Sequence, residues 1–378
     1  MKRAVLLTGH YWSSRRRAGF HWIADSLIRN GWEVLFFTAP FSWFSILRRD
    51  HRTQYPVYSE RCRLMQKEER LWSFVWFTPW HPVDFRFGFL NRLCYDLFDS
   101  YGDFSLGEAE SFIKKSNLFI LESNPVLFLE ERLRKLNPEA RFVYRVSDDL
   151  RLLNPHPLLL DRERRLTATF DLISVPSQYI YDLFDKQPQL KLHTHGVSKE
   201  LFDIEYLNPY KAGHGPNLIF VGQAYFDYDF LEIATGLFPN WHFHIIGPLN
   251  NSIKRDNVHF YGEVPFSNTI PYVKYADIGL HTLAHTRGAE SFTDSLKMIQ
   301  YEYCRLPIIA PDYMDCDRSQ VHYYKPGDPD SINGALSQAI KFDRSKISVD
   351  HINSWDDLTD NLIGEKTEQR KADELPKN

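Results

Sequence analysis

The stretch Ser291-Phe-Thr-Asp-Ser-Leu-Lys-Met-Ile-Gln-Tyr-Glu-Tyr-Cys-Arg-Leu-Pro-Ile-Ile-Ala310 decides the fold class. Met298, Ile299, Tyr303 and Leu306 recur at roughly helical spacing. Pro307 lacks an amide hydrogen and clashes with the preceding turn, so the helix is expected to stop at Leu306. Ile308-Ile309-Ala310 then reads as a short strand that is apolar on both faces, the mark of a buried parallel strand. Asp294 and Ser295 suit the helix start as caps, and Lys297 and Gln300, three residues apart, share one face. Free backbone amides, a serine and a lysine at a helix start suit an anion. In an α/β chain of this length the anion expected there is a nucleotide diphosphate. An ordinary capped helix fits the same residues equally.

The same alternation runs outward through the chain. Arg3–Thr8 reads as a strand, Ala18–Arg29 as a helix stopped by Gly31, and Glu33–Thr38 as the next strand. Leu118–Glu122, Phe142–Arg145 and Leu172–Val175 read as further strands, with helices over Val126–Lys135 and Gln178–Asp185. After the turn-rich Leu207-Asn-Pro-Tyr-Lys-Ala-Gly-His-Gly-Pro216, a second series follows: Leu218–Val221, Phe243–Ile246, His259–Tyr261, Ile278–Leu280 and Ile308–Ala310. Strands alternating with helices predict α/β architecture, two Rossmann-like doubly wound domains facing a central cleft. The expected boundaries are 1–200 and 201–350, with 351–365 packing back on the first domain and 366–378 a disordered tail.

Between Ala39 and Leu97 the alternation fails. Phe41, Trp43, Phe44, Ile46 and Leu47 precede Arg48 and Arg49, and an aromatic run from Trp72 to Phe89 is followed by Leu90 and Arg92. Aromatics beside arginines fit an interfacial membrane surface, to which Arg15-Arg16-Arg17 adds charge. A core of unusual composition with a solvated basic edge fits as well.

Bulk properties narrow the class. The 378 residues suit two domains, and 43% hydrophobic with 25% charged residues is ordinary for a globular protein. A formal net charge of −4 argues against a nucleic-acid binder. Cys62, Cys94, Cys304 and Cys316 show no paired spacing, so neither a zinc site nor a redox motif is indicated, and a reducing cytosol is expected. The apolar run near Met1 is too short for a signal peptide, and no stretch approaches a transmembrane span.

Three constellations bear on chemistry. Ser147-Asp148-Asp149 follows a strand, where an α/β protein holds its reactive groups, so a carboxylate there can take a proton from an attacking hydroxyl. The same triplet also suits a turn or helix cap. Asp227-Tyr228-Asp229 and Asp315-Cys316-Asp317 have a spacing that can hold a divalent metal, but such short patterns arise often by chance, and Asp227 is expected to cap the following helix. The first turn, Gly9-His-Tyr-Trp-Ser-Ser14, lacks the glycine pattern of a dinucleotide site. Gly222, after a strand, permits close approach of a ligand.

Taken in order, several segments resemble one family. They are Arg16-Arg17-Ala18 with His21, Val143-Tyr-Arg-Val-Ser-Asp148, His195-Gly-Val197, Val221-Gly222 with Phe226-Asp227, and His244-Ile-Ile-Gly247. Tyr261-Gly-Glu263, Asp294-Ser295, Lys297, Gln300-Tyr301, Leu306-Pro307 and Trp355-Asp356 with Thr359-Asp360 follow. The chain thereby resembles the GumK-like family, the membrane-associated β-1,2-glucuronosyltransferases of xanthan-type exopolysaccharide biosynthesis. The resemblance implies a GT-B fold and metal-independent, inverting transfer of glucuronic acid from UDP-glucuronate to a polyprenyl-diphosphate oligosaccharide. It implies no cofactor beyond the UDP-sugar substrate, and a cytoplasmic protein peripheral on the inner face of the bacterial inner membrane.

By the same resemblance Asp148 is the base, and Gly222, Gln223, Glu263, Val264, Asp294, Ser295, Lys297 and Gln300 form the donor site. Arg16, Arg17, His21, Trp43, Phe44, Arg48 and Arg49 are the expected acceptor or membrane residues. Gln223-Ala224 stands where the family has Ser-Met, Leu283 where it has a donor-contacting Tyr, and Asp149 where it has Gly. These departures bear on the sugar more than on fold or reaction. Phe292 and Gln300 occupy the positions where retaining relatives carry glutamates, which favours inversion. The rival readings are a UDP-sugar epimerase of the same fold, a transferase using a different UDP-sugar, and a non-catalytic scaffold subunit.

Overall fold

The computed structural model describes residues 2–15, 17–211, 215–223, 225–284, 291, 294–314 and 316–364. Arg16, Ala224, Phe292, Asp315 and the expected tail 366–378 lie outside the described residues. The chain forms two compact units, one of residues up to Thr194 joined by the segment from Trp355, the other His195–Ser354.

The first unit is built on eight strands: β1 Arg3–Thr8, β2 Glu33–Ser42, β3 Leu64–Glu68, β4 Leu71–Thr78, β5 Leu118–Glu122, β6 Arg141–Arg145, β7 Leu172–Val175 and β8 Leu190–Leu192. Their spatial order is β3-β4-β2-β1-β5-β6-β7-β8. β3 and β4 pair antiparallel, while β1 pairs parallel with both β2 and β5. The chain therefore winds one way from β1, then returns to wind the other way from β5. That switch point opens a crevice beyond the strand ends, where ligands bind in such sheets. The central strands are apolar on both faces because helices cover both: every residue of β5 is buried.

The region where the alternation was expected to fail is partly sheet. β2 continues to Ser42, and β4 contains Trp72, Phe74, Trp76 and Phe77. Phe74 and Trp76 are buried in the core, and the Trp76 indole donates to Ser105 O at 2.9 Å. This part of the expected membrane-facing run is thus interior. Its aromatics alternate along a strand and pack against Phe37 and Tyr101.

The second unit contains β9 Asn217–Val221, β10 His242–Ile246, β11 Val258–Gly262, β12 Ile278–Leu280, β13 Ile308–Pro311 and β14 Val321–Tyr324, ordered β11-β10-β9-β12-β13-β14 and parallel throughout. Its switch point lies between β9 and β12. Alternate residues feed two cores: Leu218 and Phe220 go to one face, Ile219 and Ile308 to the other. The helix expected to reach Leu306 spans Leu296–Tyr303. Arg305 takes a positive φ of 54° and Leu306 N bonds back to Tyr301 O, so the chain turns off the helix before Pro307. The helix Trp355–Ile363 returns to the first unit, where Trp355 stacks on Trp22 of the helix Gly19–Arg29 and Asp356 accepts from Arg29 at 2.7 Å.

Candidate active site

Beyond β1, β5 and β6 the first unit gathers a ring of polar groups around Glu122, the last residue of β5. Glu122 Oε2 accepts from Thr8 Oγ1 at 2.7 Å, from Gly9 N at 2.8 Å and from Asn124 Nδ2 at 3.0 Å. Its Oε1 accepts from Ser147 Oγ at 3.0 Å and faces His10 Nε2 at 3.4 Å. Ser123 Oγ accepts from the backbone amides of Ser147 and Asp148 at 3.0 and 3.1 Å, which fixes the loop after β6.

The two adjacent aspartates in that loop have different situations. Asp149 is buried and caps the short turn Leu150–Leu152, and its carboxylate receives Arg151 Nε at 2.8 Å and NH2 at 2.7 Å. It is fully engaged. Asp148 stands open to solvent on one side, and no described residue donates to its carboxylate. Crowding by protein atoms, and then the like charge of Glu122, raise the Asp148 carboxyl to about 6. A carboxylate that is open, unpaired and more basic than usual can act as a general base. Asp148 also borders a cavity of about 480 Å³, within the range of ligand pockets, walled by Leu160 and Phe184 and by the polar Arg151 and Glu163.

In the second unit, Gly222 and Gln223 follow β9. Gly222 has φ +154° and Gly247 φ +146°. A Cβ on Gly247 would stand 1.8 Å from the Gly222 carbonyl oxygen, so the ends of β9 and β10 meet only as glycines. Lys297 lies in the first turn of the helix Leu296–Tyr303, with Nζ 4.1 Å over the Phe220 ring and 3.8 Å from where a Cβ on Gly222 would be. The helix is held in place by Tyr301, whose hydroxyl donates to Ile219 O at 3.0 Å and accepts from Val221 N at 3.1 Å, filling space that any Cβ on Gly279 would occupy. Burial pulls the half-buried Lys297 ammonium down to about 7. Glycines, a lysine and a helix start are groups that suit an anion.

The expected caps divide. Ser295 takes the N-cap position, but its side chain makes no capping bond. Asp294 is drawn off to Arg318, at 2.5 Å, and Arg318 also holds Glu302 at 3.0 Å. Gln300 is buried, while Glu263 is exposed and Val264 half-buried just past β11. Asp227 does cap the helix Tyr228–Leu237, accepting from Phe230 N at 2.9 Å, and its other oxygen takes the Tyr324 hydroxyl at 2.7 Å.

A family profile described as "Glucuronosyltransferase GumK, N-terminal domain" matches residues 6–176. A curated UDP-glucuronate:glycolipid 2-beta-glucuronosyltransferase of Xanthomonas campestris pv. campestris is 27% identical over 365 residues, 95% of this chain and 88% of the relative. The chain is thus similar to GumK, by profile over residues 6–176 and by alignment along most of its length. Its fold is GT-B. The solved sucrose-phosphate synthase of Thermosynechococcus elongatus matches with a TM-score of 0.66 at 13% identity, covering 99% of this chain and all of the other. Anabaena HepE, solved in complex with UDP and glucose, matches with a TM-score of 0.60 at 12% identity over the whole of both chains. At such identities these two carry the fold alone.

The remaining expected residues fall into two groups. His21 is fully buried, its Nδ1 accepting from Ala18 N and its Nε2 bonded to Tyr11 O, each at 3.1 Å. It organises the loop after β1 rather than meeting a ligand or lipid. Arg17 lies over Trp12 and Trp22 and pairs with Asp25. Phe44 is half-buried against Phe85. Trp43, Leu47, Arg48 and Arg49 are exposed, on and just after the short helix Trp43–Leu47. A second exposed apolar set sits around the helix Gly88–Leu93, where Phe87, Phe89 and Leu93 are each at least two-thirds exposed. Among the described residues no helix is long and apolar enough to cross a membrane.

His10, Glu122 and Gly247 were not singled out for these roles from the sequence. Gly9-His10 directly after the first strand was the signal available for His10, and a glutamate ending an otherwise apolar strand was the signal for Glu122.

Proposed function

We propose that this chain is an inverting glycosyltransferase that moves glucuronic acid from UDP-glucuronate onto a polyprenyl-diphosphate-linked oligosaccharide. The acceptor hydroxyl attacks the anomeric carbon as the bond to UDP breaks, and Asp148 takes the hydroxyl proton. Attack from the face opposite the leaving group inverts the anomeric centre. Lys297 and the start of its helix offset the charge that develops on the departing diphosphate. Gly222, Gln223, Val264 and Ser295 surround the nucleotide sugar in this reading, with Glu263 and Gln300 on its hydroxyls. Asp294 acts indirectly, through Arg318. The cavity beside Asp148 receives the acceptor.

The observation that carries the proposal is Asp148: a carboxylate at a sheet switch point, unpaired, basic and on a cavity wall, in a chain that matches a glucuronosyltransferase along nearly its whole length. The Arg48, Arg49, Trp43 and Leu47 patch, together with Phe87, Phe89 and Leu93, rests on the anionic inner face of the membrane. The test is UDP release from a panel of UDP-sugars with and without lipid-linked acceptor. Release that requires acceptor and prefers UDP-glucuronate is expected. A changed sugar nucleotide formed without acceptor would replace the proposal with epimerisation.

A further inference from the structure

Glu122 is 7% exposed and bonds to the loop after β1, the turn after β5 and the loop after β6 at once. The reaction proposed above makes no use of it. His10, which it faces, has a side chain 42% exposed, so the imidazole can exchange protons with water while held by the carboxylate. Ser147, bonded to the same Glu122 oxygen, is the neighbour of Asp148. One ring thus holds a buried carboxylate, a half-open imidazole and an open carboxylate. The other charges facing it are accounted for. Arg52 donates to Gly9 O at 2.9 Å and pairs with Asp50 at 2.6 Å. Asp149 is bound by Arg151. His21, with its ring centroid 5.9 Å from that of His10, has both nitrogens bonded.

Two carboxylates that share a site do not both ionise easily. Glu122, with four hydrogen-bond donors, stays ionised, so the difficulty falls on Asp148. We propose that Glu122 and His10 are positioning residues that set the proton affinity of Asp148. Glu122 holds its loop through Ser147 and strengthens its grip on a proton by like charge; protonated His10 weakens that grip. The titration directions agree. Burial works to raise Glu122, but His10 and the donors outweigh it and hold the carboxyl at about 2. Burial works to lower His10, and the Glu122 charge outweighs that, leaving His10 above its usual value with a smaller contribution from Asp148.

The proposal rests on Asp148 as the base, and one variant separates the two ideas. In ¹⁵N-imidazole NMR, with the His10 signal identified from its absence in His10→Gln, Asp148→Asn should titrate His10 at lower pH than wild type. An unchanged His10 titration overturns the proposed coupling. Retained transfer by the same Asp148→Asn protein would instead remove Asp148 as base. In the acid limb of kcat/KM, His10→Gln should move the limb to higher pH, because a cation beside Asp148 is lost. Glu122→Gln should move it to lower pH, because an anion is lost. A purely structural role lowers kcat without moving the limb, and a stationary limb, or shifts in the same direction, would overturn the proposal. Should Glu122→Gln not fold, the His10 titration and the His10→Gln limb decide.

Discussion

The two units wind their sheets by the same plan, outward from a switch between β1 and β5 in one and between β9 and β12 in the other. They arm the strand ends with opposite chemistry. The first presents carboxylates, Glu122 locked in four hydrogen bonds and Asp148 open. The second presents glycine backbone, a helix start and Lys297 above Phe220. The difference teaches that the fold supplies the place and the side chains divide the labour. In the proposed reaction the carboxylate site serves proton removal, and the glycine-and-lysine site takes the diphosphate.

The most severe way to break this comparison is Asp148→Asn. Transfer should fall by about 10²- to 10⁴-fold, the span of general-base catalysis, with folding intact by circular dichroism. Asp149→Asn, the internal control, should cost stability through Arg151 more than turnover. Lys297→Ala comes next. Loss of one preorganised charge on a leaving group should cost roughly 10²- to 10³-fold in kcat/KM. Steady-state kinetics with UDP-glucuronate and UDP-glucose sharpen it: equal losses place the ammonium on phosphate, a selective loss places it on the glucuronate carboxylate.

The pH profile should carry both halves of the comparison. In the proposed reaction Asp148 acts as the carboxylate, and its raised pKa of about 6 predicts that kcat/KM declines as pH falls through that value. Lys297 acts there as the ammonium, and its lowered pKa of about 7 predicts that kcat/KM declines as pH rises through that value. The free enzyme should therefore show a narrow bell. The alkaline limb of kcat should sit higher, since bound diphosphate stabilises the ammonium. A plateau extending well above pH 8 in kcat/KM would contradict the role given to Lys297.

Smaller effects belong outside the two strand-end sites. Trp43→Ser with Leu47→Ser should reduce co-sedimentation with anionic liposomes, and Arg48→Glu with Arg49→Glu should reduce it further at low salt, each basic group contributing on the order of 1 kcal/mol. Wild-type protein that stays in the supernatant would remove the membrane face. Excess chelator should leave the rate unchanged if Lys297 and its helix start meet the diphosphate charge as proposed. Loss on chelation with rescue by magnesium or manganese would oppose this.

How much was legible follows from the kind of signal. Strands such as β1 and β5 were readable because burial on both faces writes a nearly continuous apolar run. β4 was not recognised, since its tryptophans and phenylalanines look the same on a membrane face as inside a core, and only pairing with β2 decides between them. β14 escaped because His322 and Tyr323 interrupt its apolar run. At the proposed site, the local positions of Asp148 after a strand and of Lys297 in a helix start were legible. Which of two adjacent aspartates is free was not, because Arg151 settles that by side-chain geometry. Nor was Glu122 as a hub, because its partners Gly9 and Ser147 come together only through the order of strands. Asp294 looked like a cap until Arg318, 24 residues on, competed for it.

The most direct test is calorimetric titration of UDP onto Asp148→Asn and Lys297→Ala, alongside wild type. The division of labour predicts wild-type affinity for Asp148→Asn, which no longer transfers, and clearly weakened affinity for Lys297→Ala. The reverse pattern, or UDP binding lost equally in both well-folded variants, would contradict it.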